Sequence, residues 1–334
     1  MRFLSRIALV FSLVVFAVAS TGSLAQAQTK ADAVKAFNEG YNLAKKGQTQ
    51  AAINKFEESA TIAQKVGPDA KEIKDKAQDQ LPSLYYQLAI DQYRNHDLEG
   101  AIQAFQKAGQ VADKYGNEQI AQRSKANVPK LYYAMGNSAL QQGNFQAALD
   151  ASNKALALEP NNPKPYYQQG LVYKKMKKMD EALQKFDKAI ELAKKANDTV
   201  TLNSAKNSAK NYLLSAGVDY QQKKEYSKAV DLLKKSLNYD SSFANAYYRL
   251  AETYNKMGKS SLALSNGNEA LKYEKGSKTD KAKIWFEIGL AEQSMNNKSK
   301  ACDAFENAAF GSFKASAEYK MEQELKCKQA QPNQ

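Results

Sequence analysis

Histidine and tryptophan each occur once in this chain of 334 residues, cysteine twice and proline seven times. These scarcities exclude several chemistries. One histidine, His96, and two cysteines far from it, Cys302 and Cys327, do not make up the ligand set of a zinc site. No G-x-S-x-G, phosphate-binding loop or H-E-x-x-H occurs, and nothing pairs a nucleophile with a base. The chain therefore offers no catalytic constellation, and no cofactor is implied. C-x-x-C is also absent, which argues against a redox site. Long alternating Val/Ile runs are missing, and glycine numbers only sixteen. A mixture dominated by Ala, Lys, Gln, Asn and Tyr favours helix over sheet.

Long apolar runs are absent too, apart from one near the start. "MRFLSR" carries Arg2 and Arg6, "IALVFSLVVFAVA" spans 7–19, and Ala25-Gln26-Ala27 forms an A-x-A site. This order is that of a secretory signal peptide over 1–27. An uncleaved membrane anchor is the alternative, though the run is short for a bilayer span. No cysteine near the site suggests a lipoprotein. The expectation is export, to the periplasm or beyond the cell, with no transmembrane segment after cleavage. Residues 1–27 hold two arginines and no acid, so the formal charge of +13 becomes 13 − 2 = +11. For an exported basic protein, anionic envelope polymers, membrane surfaces or acidic protein segments are the natural partners; nucleic acid is not expected. The alternative is a solvated lysine surface that serves solubility.

Internal similarity is the strongest signal. Seven segments fit an alignment on a small residue, a Gly-like turn seven positions later, an Ala five after that, then an aromatic and another Ala. They are 33–63, 82–112, 129–162, 163–193, 210–243, 244–274 and 282–314. In the fourth, Tyr166, Gly170 and Tyr173 fall on one helical face, and Ala182, Phe186 and Ala189 on the next. "PKPYYQQGLVYKKMKKMDEALQKFDKAIELA" and "YYAMGNSALQQGNFQAALDASNKALALEPNN" resemble the tetratricopeptide repeat. The resemblance covers nearly all of the chain after residue 27 and is weakest in the first and fifth segments. It implies an all-α fold, a right-handed superhelical solenoid of about seven helix-turn-helix repeats. No single helix pair buries enough surface to stand alone, so stacking is required.

Some starts are 34 residues apart, but the steps 33 to 82, 82 to 129 and 163 to 210 measure 49, 47 and 47. The surplus stretches are 64–81, 113–128 and 194–209. Each holds a turn signal, Gly67-Pro68, Gly116-Asn117 or Asn197-Asp198, and then a polar helical run. We read each as an N-terminal extension of the following helix, with a flexible linker as the alternative. Pro82 and Pro129 are expected to kink or interrupt two of these helices. Residues 315–328 read as an amphipathic capping helix, and 329–334 as a disordered tail. Cys302 and Cys327, on adjacent helices of an exported protein, suggest a disulfide. Two packed thiols are the alternative. His96 falls at an inter-helix turn and reads as an exposed loop residue.

Four segments open on a tyrosine pair. In the family that the repeats resemble, the first helix of each repeat lines a groove. The resemblance implies that Tyr85, Tyr132, Tyr166 and Tyr247 pack, while Tyr86, Tyr133, Tyr167 and Tyr248 look into the groove. Phe37 and Phe286 share their register. The same face adds Tyr41, Tyr93, Arg94, Asn137, Lys174 and Lys175, with Lys130 and Lys164 one turn before their tyrosines. Tyrosine offers rigid area with a polar tip, and lysine beside it favours acidic groups or a terminal carboxylate. The alternative is that the second rings only pack between repeats. The family's carboxylate clamp is not carried over, because Leu171 stands where a second asparagine would be needed. The expectation is a non-catalytic exported scaffold that binds a protein or peptide in envelope assembly or maintenance. An envelope glycan binder using the tyrosines, or a structural subunit of an envelope complex, are the other readings.

Overall fold

The computed structural model describes residues 28–327. The expected signal peptide and the tail at 329–334 lie outside the described residues. The described chain is all α, and no strand occurs in it. Seven helix pairs follow one another: α1 (Lys30–Lys45) and α2 (Thr49–Val66), α3 (Lys71–Arg94) and α4 (Leu98–Tyr115), α5 (Glu118–Gln141) and α6 (Phe145–Leu158), α7 (Pro163–Lys175) and α8 (Met179–Lys195), α9 (Thr199–Gln222) and α10 (Tyr226–Leu237), α11 (Ala244–Lys256) and α12 (Ser260–Tyr273), and α13 (Lys278–Ser294) and α14 (Lys298–Ala308). The chain divides into two compact units. Unit one is 28–91 with 107–122; unit two is 92–106 with 123–327. No helix of the described residues is long and apolar enough to cross a membrane.

One turn closes all seven pairs. Its central residue has positive φ: Gly47, His96, Gly143, Lys177, Lys224, Gly258 and Asn296. The next residue sends its N–H five residues back at 2.8–3.0 Å, as from Gln48 to Leu43 and from Lys178 to Tyr173. This is the Schellman closure, which satisfies carbonyls left over at a helix end. Glycine adopts that φ without steric cost, but the lysines, Asn296 and the lone histidine do so at about 1 kcal/mol each. His96 is thus a strained turn residue and no part of a metal or catalytic cluster.

The repeat interior is built on a recurrent triplet. A small residue on the first helix faces an aromatic ring on the second. A Cβ at Gly40, Gly170 or Gly289 would come within 3.2, 2.5 and 2.7 Å of the rings of Phe56, Phe186 and Phe305. Those three phenylalanines are essentially inaccessible to solvent. Three residues before each glycine, Phe37, Tyr167 and Phe286 pack on the same rings, with centroids 5.3, 6.0 and 5.4 Å apart. Close backbone approach and ring-on-ring contact supply the local burial.

Three repeats depart from this triplet, and in the fifth Leu233 takes the ring's place opposite Gly217. In the third, Ser152 holds the phenylalanine position, and Gln168 of α7 fills the space. The Gln168 amide nitrogen donates to the Tyr133 carbonyl (2.9 Å) and Asn137 Oδ1 (2.6 Å), and its oxygen accepts from Ser152 Oγ (2.5 Å). Gln168 is fully buried and fully bonded. In the sixth, Gly267 holds the ring position and receives Ile288 of α13, and Tyr248 sinks into a cluster with Ile284, Ile288 and Ala270.

The surplus stretches are helical. α3, α5 and α9 are each 24 residues long, and positive φ falls at Gly67, Gly116 and Asn197 just before them. Pro82 and Pro129 do not interrupt α3 or α5, contrary to the expectation above. Proline breaks one backbone hydrogen bond, and in α3 burial of the Pro82 ring offsets part of that loss. The C-terminal segment also differs from the continuous helix expected over 315–328. α15 (Lys314–Tyr319) is six residues long, gives way to a π-turn at Lys320–Glu324, and the chain then turns back. Met321 and Leu325 pack on the cluster of Ala301, Phe305 and Ala308, and a disulfide joins Cys327 to Cys302 with Cα atoms 5.9 Å apart. A straight helix could not meet both demands.

Candidate ligand groove

Unit two carries two clefts on the face of its first helices. One, of about 730 Å³, lies between α7 and α9 and is lined by Leu171, Lys174, Lys175, Tyr212 and Lys223, with Lys177 from the adjoining turn. The other, of about 470 Å³, lies over α9, α11 and α13 and is lined by Asn245, Tyr248, Arg249 and Lys283. Asn211, Ser215 and Asp219 of α9 line both. Spaced by four residues, they form one stripe along that helix and border both clefts, which are together termed the trough.

The trough is basic. Lys174, Lys175, Lys177, Lys223, Arg249 and Lys283 line it, and Asp219 is the one acid among its lining residues. Lys174 Nζ rests 5.9 Å from the Tyr212 ring centre. The Tyr248 ring has the Arg249 guanidinium at 5.0 Å and Lys283 Nζ at 5.2 Å. Cations over aromatic faces are held in place without losing their charge. Burial pushes the Tyr248 hydroxyl up to about 12, so it stays a donor at neutral pH. Behind this end, Glu252 accepts from both Arg249 (2.7 Å) and Lys256 (2.8 Å). Burial works against its charge, but the two cations outweigh burial and hold its carboxyl below the ordinary value. Glu287 lies deeper still. Burial pushes its carboxyl up to about 7, against an amide donated by Asn255 at 2.8 Å.

Of the residues expected to form a groove, Lys174, Lys175 and Tyr248 line this trough. The others do not. Tyr167 packs on Phe186, and its hydroxyl lies 3.3 Å from Ser208 Oγ. Phe286 is held between Phe305 and Phe313. The Asn137 amide oxygen is taken by Gln168, and Tyr133 is half-buried beside it. Lys130 and Lys164 are exposed. Tyr93 and Arg94 are exposed at the end of α3. In unit one, Phe37 packs on Phe56, Tyr86 is half-buried, and exposed Tyr41 carries Lys45 Nζ at 4.5 Å. Tyr248 departs from the expected division because it is buried; Tyr86, Tyr133 and Tyr167 are half-buried, as are Phe37 and Phe286 of their register. In the sixth pair Tyr248 is the more buried, while Tyr247 stacks on Tyr273 with centroids 5.8 Å apart.

Sequence reasoning missed the α9 stripe and Arg249, Lys223 and Lys283. The fifth repeat has no tyrosine pair, so the register carried no marker across it. Asn211, Ser215 and Asp219 also sit one residue off the tyrosine register; Leu214 and Val218 occupy that register and line the second cleft, and Leu214 packs on the core cluster as well. The run of small polar residues at i, i+4 and i+8 was the available signal.

Family models of the tetratricopeptide repeat match residues 136–177 and 163–196. The human protein "DnaJ homolog subfamily C member 7" is 32% identical over 104 residues, 30% of this chain and 21% of that protein. The chain thus spans about a fifth of that relative's length. Among solved structures, the MamA protein is 21% identical, with 59% of this chain and 95% of that chain covered at a TM-score of 0.35. A tetratricopeptide repeat protein from Parabacteroides merdae is 16% identical, covering 87% of this chain and 98% of its own at a TM-score of 0.30.

Proposed function

From the premise that this is a tetratricopeptide-repeat protein, we propose that it is a non-catalytic scaffold holding a segment of a partner protein in the trough of unit two. The observation that carries this reading is that two basic clefts share Asn211, Ser215 and Asp219 along one helix. A channel bridging several helices suits an extended chain better than a compact metabolite. Its polar floor offers partners for a peptide backbone, and its lysines favour a segment rich in carboxylates.

The setting we propose is the cell envelope, after export directed by residues 1–27. The support is the order of basic, apolar and small residues there, with a cysteine pair able to form a disulfide in an oxidising compartment. The glycan reading has less support, because stacking on sugars needs free ring faces and Tyr167, Tyr248 and Phe286 use theirs in packing.

The test is affinity capture from an envelope fraction with the wild-type chain and with Lys174→Glu/Lys223→Glu. Both side chains line the trough and neither enters the helix-pair core, so the variant should keep its circular dichroism spectrum. The expected outcome is a partner retained by the wild type and lost by the variant. A partner retained equally by both would refute the trough as its seat.

A further inference from the structure

Unit one contains a cleft of its own, and it exists because of a surplus stretch. The step from the first repeat to the second is 49 residues, and part of the excess forms the first turns of α3. Gln78 and Leu81 from those turns line a cleft of about 750 Å³ between α2 and the second half of α4. Its walls are the faces of two second helices, whereas the trough of unit two is lined by first helices. Its volume falls within the range of ligand sites, roughly 300–1,000 Å³.

Ala60, Leu81 and Val111 give the cleft an apolar floor, and Lys65, Lys107 and Lys114 stand along its two walls. No carboxylate among the described residues pairs with these lysines. Lys107 Nζ lies 5.9 Å from the Tyr85 ring centre, and Lys114 Nζ 5.2 Å from that of Tyr115. Glu57 is the one acid of the lining, and it accepts the Tyr85 hydroxyl at 2.7 Å. Three lysines flanking a small apolar strip form a surface with a definite complement.

We propose that this α2–α4 cleft is a second docking surface, for an acidic amphipathic segment of a partner protein. Apolar side chains of that segment would lie on Ala60, Leu81 and Val111, and its carboxylates would meet Lys65, Lys107 and Lys114. Charge complementarity selects the occupant. A basic segment would face three unpaired lysines, and a purely apolar one would strip water from them without compensation.

The test uses the full chain and a fluorescein-labelled peptide of Leu and Glu, with leucines at i, i+3, i+4 and i+7. Fluorescence anisotropy reads its binding. Lys107→Glu/Lys114→Glu should weaken binding about tenfold or more, while Lys298→Glu/Lys300→Glu, exposed on α14 and lining neither the cleft nor the trough, changes it by less than about twofold. Should the first double variant lose its helical circular dichroism signal, Lys65→Glu on the opposite wall gives the same reading. Unchanged affinity in a folded wall variant would overturn the proposal. So would equal affinity for a Glu/Ser peptide of the same charge, which would mark mere polyanion attraction. Binding of phosphatidylglycerol vesicles or duplex DNA in place of the peptide would overturn it too.

Discussion

Glu287 is seven per cent exposed, and no cation bonds directly to it. Its carboxyl titrates near 7 in the fold, chiefly through burial, against an ordinary value of 4.5. The native state therefore keeps a proton that the unfolded chain has already released. Stability from this group is full below about pH 4.5 and declines as pH rises through about 7. The span is at most about 3 kcal/mol. Thermal unfolding of the wild type and Glu287→Gln at pH 5 and pH 8 checks this: the variant should match the wild type at pH 5 and melt higher at pH 8. Equal losses on going to pH 8 would remove Glu287 as the cause. Gln168 makes the opposite kind of prediction. Truncating it to Ala leaves the Tyr133 carbonyl, Asn137 and Ser152 short of a partner and opens a cavity. A loss of about 2–4 kcal/mol in urea unfolding is expected.

At the scale of elements, most of the architecture was legible and two endings were not. The recurrence of a small residue seven positions before a turn located the seven positive-φ residues that close the helix pairs, from Gly47 to Asn296. That pattern is local and is repeated seven times, so one weak copy does no harm. The path after Lys314 was not legible, because a disulfide and the packing of Leu325 decide it against local helix preference. Pro82 misled for a similar reason, since burial of its ring offsets part of the lost hydrogen bond and local preference does not show that burial. Two predictions belong here. Lys177→Gly relieves the positive-φ strain and should raise stability by about 0.5–1 kcal/mol, read as a shift of the urea midpoint. Cys302→Ser opens a loop of 25 residues and should cost about 3 kcal/mol, with the first protease cuts appearing in the segment after Phe310.

For the whole molecule, the sequence said that a ligand face exists but placed it poorly. Register arguments assign a face to a helix, yet they do not say how deep a ring sits. Tyr248 sinks among Ile284, Ile288 and Ala270, whereas Tyr167, resting on Phe186, stays half-buried. The trough instead follows α9, where Leu214 and Val218 of the tyrosine register line one cleft and the neighbouring stripe of Asn211, Ser215 and Asp219 lines both. Such a site depends on helix rotation within the stack, which no single repeat encodes. The account's central claim is that this stripe is where a partner segment lies. A photo-crosslinking amino acid placed at Ser215, which lines both clefts, tests it in cells that carry out export. The predicted result is a discrete protein adduct that Lys174→Glu/Lys223→Glu abolishes. No adduct at Ser215, or one that persists undiminished in that variant, would contradict the claim.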